Sequence, residues 1–400
     1  MEHRQRQLQR GRRRDEGRLG MNVLALDIGG ANLKAAHGQV RGEGDVIDAQ
    51  AATLPFALWK QPDALGEKLK ELAALFPPLD AIAVTMTAEL CDCFEGRKSG
   101  VHHVLDAVAD FAGERRVGVW LTKGHFTAVQ EARVSWLACA SANWHAQATW
   151  VARLYPLQRS LLIDVGSTTT DICILSEGQP QCLGETDLVR MNFGELLYTG
   201  VRRTPLMSLS PVEHISQMPG DPPEQLMAEH FATMQDVYVL LGDLSEDPSN
   251  TDTADGRPLT REATQRRVLR MIGADLETYA ALMPARHAPL IAALELAAAM
   301  AQGLSDACAR KQGQLIAASI KHVQESFRQM RPDAPFLRFD QVIVSGSGAF
   351  LAERAARVAL PGWPVVKLDD HIGAKASSAA CAWALLHLWN DEHLHAKAQG

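Results

Sequence analysis

Two segments of this chain, ALDIGGANLKAA from Ala25 and LIDVGSTTTDICIL from Leu162, follow one pattern. An apolar strand ends in Asp, passes one apolar residue, turns through Gly and small polar residues, and returns as a second strand. A duplication of this kind constrains the fold more than any other feature, because each copy must head a sheet of its own. The flanking segments agree. DVIDAQAATLP is a third strand after the first copy. PDALGEKLKELAALF then has helical spacing and stops at Pro77 and Pro78, and AIAVTMT, VHHVLDAVADFAG and VGVWLT read as strand, helix and strand. After the second copy, QPQCLGETDL is a hairpin strand, QVIVSG a buried strand and GAFLAERAARVA a helix; PVVKL and the Ala-rich GAKASSAACAWALLHLW close the chain.

These elements predict an α/β chain of two ribonuclease-H-like domains, the second interrupted by a mostly helical insertion over about 200–340. The expected boundaries are a basic leader at 1–20, a first domain at 21–158 and a second at 159–400. A length of 400 residues agrees with two cores. The leader has no apolar stretch of the kind a secretory signal needs; its arginines suit a nucleic-acid arm or transit peptide, but it reads first as a disordered tail or an upstream start ahead of Met21. A net charge of -7 gives no reason to expect a nucleic-acid partner. No apolar run reaches the roughly 18 residues of a membrane span. Seven scattered cysteines point to a reducing compartment, hence the cytoplasm, and Cys91 and Cys93 lack a second pair at zinc spacing. The polar loop SEDPSNTDTADGRP reads as mobile or ligand-facing.

A strand that ends in Asp and turns through Gly sets a carboxylate beside backbone N–H groups that a ligand can approach closely. Such a turn suits phosphate. Gly29, Gly30 and Asn32 in the first copy, with Gly166, Ser167, Thr168 and Thr169 in the second, are the expected donors. Asp27 and Asp164 cannot touch phosphate without repulsion and are better suited to holding Mg²⁺ or its waters. VIVSGSGAF adds a strand-to-helix turn at Gly346, Ser347 and Gly348 that suits an anion or nucleotide at a helix N-terminus. This order of two phosphate hairpins and a glycine strand-to-helix turn resembles the actin, Hsp70 and sugar-kinase superfold. The resemblance implies a nucleotide or other phosphorylated ligand.

Longer stretches carry a nearer resemblance. TMTAELCDCFEGRKSGVHHV, KGHFTAVQEARVSWLACASANWHAQATWVARL, LLIDVGSTTTDICIL, GELLYTGVRRTPL and MAEHFATMQDVYVLLGDL are similar to the hydantoinase/oxoprolinase-like proteins linked to tetrahydromethanopterin one-carbon transfer. Archaeal members join aminomethylfuran diphosphate to glutamyl-tyramine in methanofuran biosynthesis. The resemblance implies a transferase in which a phenolic oxygen displaces diphosphate from a furan-methyl carbon. The phenol would be glutamyl-tyramine, tyramine or tyrosine, and no ATP need be consumed. Positive charge at the carbon is stabilised by the electron-rich furan, so the protein's main task is to stabilise departing diphosphate.

On that reading Asp27 and Asp164 hold the metal, with Asp171 either a second ligand or a turn cap. Lys34 contacts phosphate or is a solvated strand lysine. Glu89 and Asp92 follow a buried strand, and either one can accept the phenolic proton or belong to a salt-bridged loop with Arg97 and Lys98. Arg202 and Arg203 offer a planar clamp for diphosphate or carboxylate, with one of the two pointing inward. Asp236 and Asp243, on one helix face, and Asp255 form an acidic patch or a solvated surface. Two rivals remain: an ATP-dependent kinase or hydantoinase/oxoprolinase-like hydrolase, and a nucleotide-binding regulatory protein. The oligomeric state is not legible.

Overall fold

A computed structural model describes residues 20–41, 46–212, 225–278, 290–332 and 338–398. The predicted leader, apart from Gly20, falls outside them. The chain divides into two compact units, Met1–Arg159 with Leu175–Val189 and Leu368–Gly400, and Ser160–Ile174 with Arg190–Lys367.

The first unit is built on strands β1 (Met21–Ile28), β2 (Asn32–Val40), β3 (Val46–Pro55), β4 (Ala81–Met86), β5 (Arg116–Trp120) and β6 (Phe126–Thr127). Their order is β3-β2-β1-β4-β5-β6. β2 runs antiparallel to β1 and β3, while β4 and β5 run parallel to β1. That is a mixed sheet of the expected ribonuclease-H type. Side chains alternate across the sheet, so Leu24, Leu26 and Ile28 join Ile82, Val84 and Met86 on one face. Helices α1 (Leu65–Ala73) and α2 (Arg97–Ala112) cover it with Leu65, Leu69, Leu72, Val101, Val104 and Leu105. Burying each such side chain stabilises the unit by about 1.5–3 kcal/mol. Short helices α3 (Val129–Val134) and α4 (Trp136–Cys139) lead into α5 (Asn143–Leu154).

The second unit holds β7 (Ser160–Val165), β8 (Thr170–Ser176), β10 (Leu196–Leu197), β11 (Gln341–Ser345) and β12 (Val365–Lys367), ordered β10-β8-β7-β11-β12. β9 (Gln179–Pro180) lies beside β8, and α6 (Asp187–Asn192) follows it. β11 is parallel to β7 and β12 to β11. Between β10 and β11 the regular elements described are helical: α7 (Met234–Leu241), α8 (Arg261–Arg270) and α9 (Leu290–Met330). α10 (Ala349–Ala359) lies against β7 and β11, with α9 packed on it. The α/β class with a helical insertion is therefore what the sheets and helices display.

The end of the chain differs from expectation. The Ala-rich segment breaks at Ala379 into α12 (Ala374–Ser378) and α13 (Ala380–Ala398), after α11 (Asp369–Ile372). α13 packs on β1, β2 and β4 and so belongs to the first unit, not to the second domain. Two glycines make the space: a Cβ at Gly38 would lie 3.0 Å from Leu386, and one at Gly118 2.4 Å from Trp389. Cys173 and Cys182 are disulfide-bonded, in contrast with the reduced state expected; Cys91, Cys93, Cys139, Cys308 and Cys381 are free.

The acidic patch on α7 also needs correcting. Thr233 and Asp236 form a capping box and Gly242, in the left-handed conformation, ends the helix, so Asp243 lies beyond it. Asp236 is buried and paired with buried Arg267, which also binds Asp255 at 3.0 Å. Asp243 pairs with Arg354. The loop expected to be mobile or ligand-facing is held by the Asp255–Arg267 pair and by the Asp247–Leu259 bridge.

Candidate functional site

The two glycine hairpins close alike. Gly29 N donates to Asn32 O at 3.0 Å, and Gly166 N donates to Thr169 O at 2.9 Å. Carbonyl oxygens around each turn accept from protein N–H groups. In the first unit, Ile28 O accepts from Thr87 N, Gly30 O from Leu58 N and Ala31 O from Phe56 N. In the second, Val165 O accepts from Gly348 N, Gly166 O from Val201 N and Ser167 O from both Arg202 N and Arg203 N. An anion nest is weakened by free carbonyl dipoles nearby, and here those dipoles are turned onto protein donors.

Each Asp also has a hydroxyl residue beside it on the neighbouring parallel strand. Thr85 stands next to Asp27, and Ser345 next to Asp164, whose Oδ1 accepts the Ser345 hydroxyl. The buried Thr85 hydroxyl has no hydrogen-bond partner among the described residues. Lys34 stands opposite Asp27 on the same face of the sheet, as cross-strand partners do. One carboxylate per hairpin is too few for a closed metal cage, and no group of three or more His, Cys, Asp or Glu residues that could hold a metal occurs among the described residues. It does fit Mg²⁺, which takes one or two carboxylates and completes its shell with phosphate oxygens and water. Asp171 does not fit that role: its Oδ1 accepts from the buried Arg190 at 2.7 Å, making it half of an ion pair.

In the second unit, Gly200 lets a further segment lie across the hairpin. A Cβ there would meet Thr168 N at 2.5 Å and Gly166 O at 2.6 Å. Buried hydrogen bonds fix this segment: Tyr238 donates to Gln312, whose amide donates to Thr199 Oγ1 at 2.8 Å and Gly200 O at 2.9 Å. Arg202 turns to Gln235 at 3.0 Å, while the side chain of Arg203 is exposed. The strand-to-helix turn packs as closely. Gly346 has φ +85°, and a Cβ there would lie 2.3 Å from Val165 O; Ser347 is exposed, and Gly348 precedes α10.

The loop after β4 lies along the first hairpin, with Thr87 N on Ile28 O and Cys91 Sγ 2.7 Å from where a Gly30 Cβ would be. Glu89 in this loop is fully buried, because α2 presses on its backbone: a Cβ at Gly100 would lie 2.2 Å from Glu89 O. Its Oε1 accepts from the Ser141 hydroxyl at 2.8 Å and lies 3.7 Å from Arg97 Nε. Its Oε2 is buried with no hydrogen-bond partner among the described residues. Burial pushes the carboxyl up to about 7, against the lowering pull of Ser141 and Arg97. Nearby Cys139 is pushed up to about 12 by burial and by the Glu89 charge. Asp92 is exposed on the same loop. The salt-bridge partner expected from sequence, Arg97, is present, but it binds Asp187 at 2.5 Å more closely than Glu89.

The hydantoinase/oxoprolinase family model matches residues 80–385, well over half of the chain. The chain belongs to the hydantoinase/oxoprolinase family. Among curated relatives of this family member, a (4-{4-[2-(gamma-L-glutamylamino)ethyl]phenoxymethyl}furan-2-yl)methanamine synthase from Methanocaldococcus jannaschii is 33% identical over 257 residues, 64% of this chain and 72% of the relative. A protein of the same name from Methanococcus vannielii is 35% identical over 121 residues, 30% of this chain and 52% of that protein. A ROK family glucokinase from Streptomyces griseus, solved with glucose and AMPPNP, aligns over 91% of this chain and 97% of its own at 13% identity and a TM-score of 0.40. That likeness is too low to carry an argument, and the fold class rests on the strand order. No helix among the described residues is long and apolar enough to cross a membrane.

Sequence reasoning singled out as candidates both hairpins, the third glycine turn, and Glu89 or Asp92. It missed Thr85, Ser345, Ser141, Asp187, Gly200 and Gln312. Thr85 and Ser345 carried a usable signal, a hydroxyl residue ending a buried strand in each half. Ser141 and Asp187 carried none, since their partners are distant in sequence.

Proposed function

We propose that this protein is a transferase of methanofuran-type cofactor biosynthesis, forming an ether between a phenol and the methyl carbon of aminomethylfuran diphosphate. The observation that carries this reading is the 33% identity to a synthase whose name describes a phenoxymethylfuran. The local chemistry supports it. The phenolic oxygen forms the new C–O bond, the bond from carbon to diphosphate breaks with its electron pair on the leaving group, and the phenolic proton must be accepted. A phenol near pKa 10 needs such a base at neutral pH. Glu89 suits the task, with a proton affinity near neutrality and an Oε2 that has no hydrogen-bond partner among the described residues.

Each unit has its own set of groups suited to a phosphate: Gly29, Gly30, Asn32 and Lys34 in the first, and Gly166, Ser167, Thr168, Thr169, Arg203 and the Gly346–Gly348 turn in the second. Asp27 in the first unit and Asp164 in the second are each suited to hold Mg²⁺ through a carboxylate oxygen. Bound to diphosphate, Mg²⁺ would neutralise the charge of the leaving group. Asp92, exposed beside Glu89, is the second candidate to orient the acceptor.

The test is a diphosphate-release assay with aminomethylfuran diphosphate, Mg²⁺ and tyrosine, tyramine or glutamyl-tyramine, without ATP. Release that needs a phenol, with an ether detected by mass, is expected. Phosphorylation of a small molecule or ATP-dependent hydrolysis, with no ether from any phenol, would assign the protein to the kinase or hydrolase class instead.

A further inference from the structure

Glu89 is surrounded by a set of groups that the chemistry above does not use. Ser141 lies between α4 and α5 with φ 49°, a left-handed conformation that is uncommon for a residue with a Cβ. That conformation carries its hydroxyl between two carboxylates, 2.8 Å from Glu89 Oε1 and 3.2 Å from Asp187 Oδ2. A hydroxyl has one proton, so it can donate to only one of them at a time. Arg97, at the first turn of α2, binds Asp187 Oδ2 at 2.5 Å while its Nε stays 3.7 Å from Glu89. Holding Arg97 on Asp187 keeps a full ion pair from forming with Glu89. Among the described residues, the Cys139 thiol on α4 also lies within reach of the Glu89 charge.

We propose that Ser141, Arg97 and Asp187 are positioning residues that hold Glu89 by Oε1, leave Oε2 for the acceptor, and set how tightly Glu89 binds a proton. The catalytic meaning of this inference rests on the assignment of Glu89 above; the balance of groups does not. Ser141 and Arg97 favour the ionised carboxylate. Asp187 opposes it twice, by its own charge and by engaging Arg97. A residue that merely supports the fold would not act on Glu89 with a defined sign.

The test reads the titration of Glu89 directly, as the carboxyl infrared band of protein labelled with ¹³C-glutamate, taken as the difference from Glu89→Gln. Ser141→Gly removes the hydroxyl while its backbone tolerates the positive φ, so the fold is kept. It is expected to move the midpoint to higher pH by about 0.5–1 unit, and Asp187→Asn to move it lower by a similar amount. The acid limb of the diphosphate-release profile is expected to move with each. Midpoints that stay fixed, or move in the same direction, would overturn the proposal. Midpoints that separate as stated, in a protein that forms no ether, would uphold the balance of groups and reject the ether-forming reading.

Discussion

Glu89 is where sequence and environment contribute most unequally. An acid after a buried strand was visible in the sequence; its burial depends on Gly100, Ser141 and α2, which no local pattern reveals. The energetic consequence has a definite sign. A carboxyl raised to about 7 from its ordinary 4.5 favours the neutral folded form, so this stability is complete below the unfolded value and lost as pH rises through about 7. The loss amounts to about 3 kcal/mol. Glu89→Gln is therefore expected to gain stability relative to the parent between about pH 5 and pH 8, although it lacks the proposed proton acceptor. Thermal melts across that range check this, and a stability difference independent of pH would contradict it. Asp236 behaves differently. Burial raises its carboxyl while Arg267 lowers it, and Arg267 has no exposed surface through which to recover hydration. Asp236→Asn is expected to cost about 3–5 kcal/mol, read from the denaturation midpoint, because it leaves a buried guanidinium short of charge.

At the scale of elements, the two hairpins repeat in detail. Both close from Gly N to the residue three further on, both turn carbonyls onto protein N–H groups, and both set a hydroxyl residue beside the Asp. The strand–turn–strand pattern was legible because it is local. What holds the second hairpin was not: Gly200, Tyr238 and Gln312 reach it from three separate segments. Gly200→Ala would force a methyl group to within 2.5 Å of Thr168 N. The hairpin must shift to admit it, and a displacement approaching an ångström costs ~100-fold in a positioned site. Diphosphate binding measured by calorimetry is expected to weaken at least tenfold, with the far-UV spectrum unchanged. Unchanged affinity would mean that this hairpin is not the diphosphate site.

For the whole molecule, the duplicated strand–turn–strand was readable from one repeated motif, but the order of the strands and the division of the chain were not: beside β8 the sheet takes Leu196–Leu197, and only Gln179–Pro180 of QPQCLGETDL is a strand. α13 is last in sequence and belongs to the first unit, because Leu386 and Trp389 fill space that Gly38 and Gly118 leave on that sheet. Such complementarity between distant residues has no periodic signature. The disulfide-bonded state of Cys173 and Cys182 was likewise invisible in a count of scattered cysteines. Membership of the hydantoinase/oxoprolinase family and the fold class bound the chemistry without fixing it, and the proposed reaction turns on which bond to oxygen forms. The most direct measurement uses a phenol labelled with ¹⁸O, aminomethylfuran diphosphate and Mg²⁺, with no nucleotide present, and follows the label by mass spectrometry. The account predicts that all of the label appears in a phenoxymethylfuran ether and none in the released diphosphate. Unlabelled furan alcohol as the only product, or no reaction until ATP is added, would contradict it.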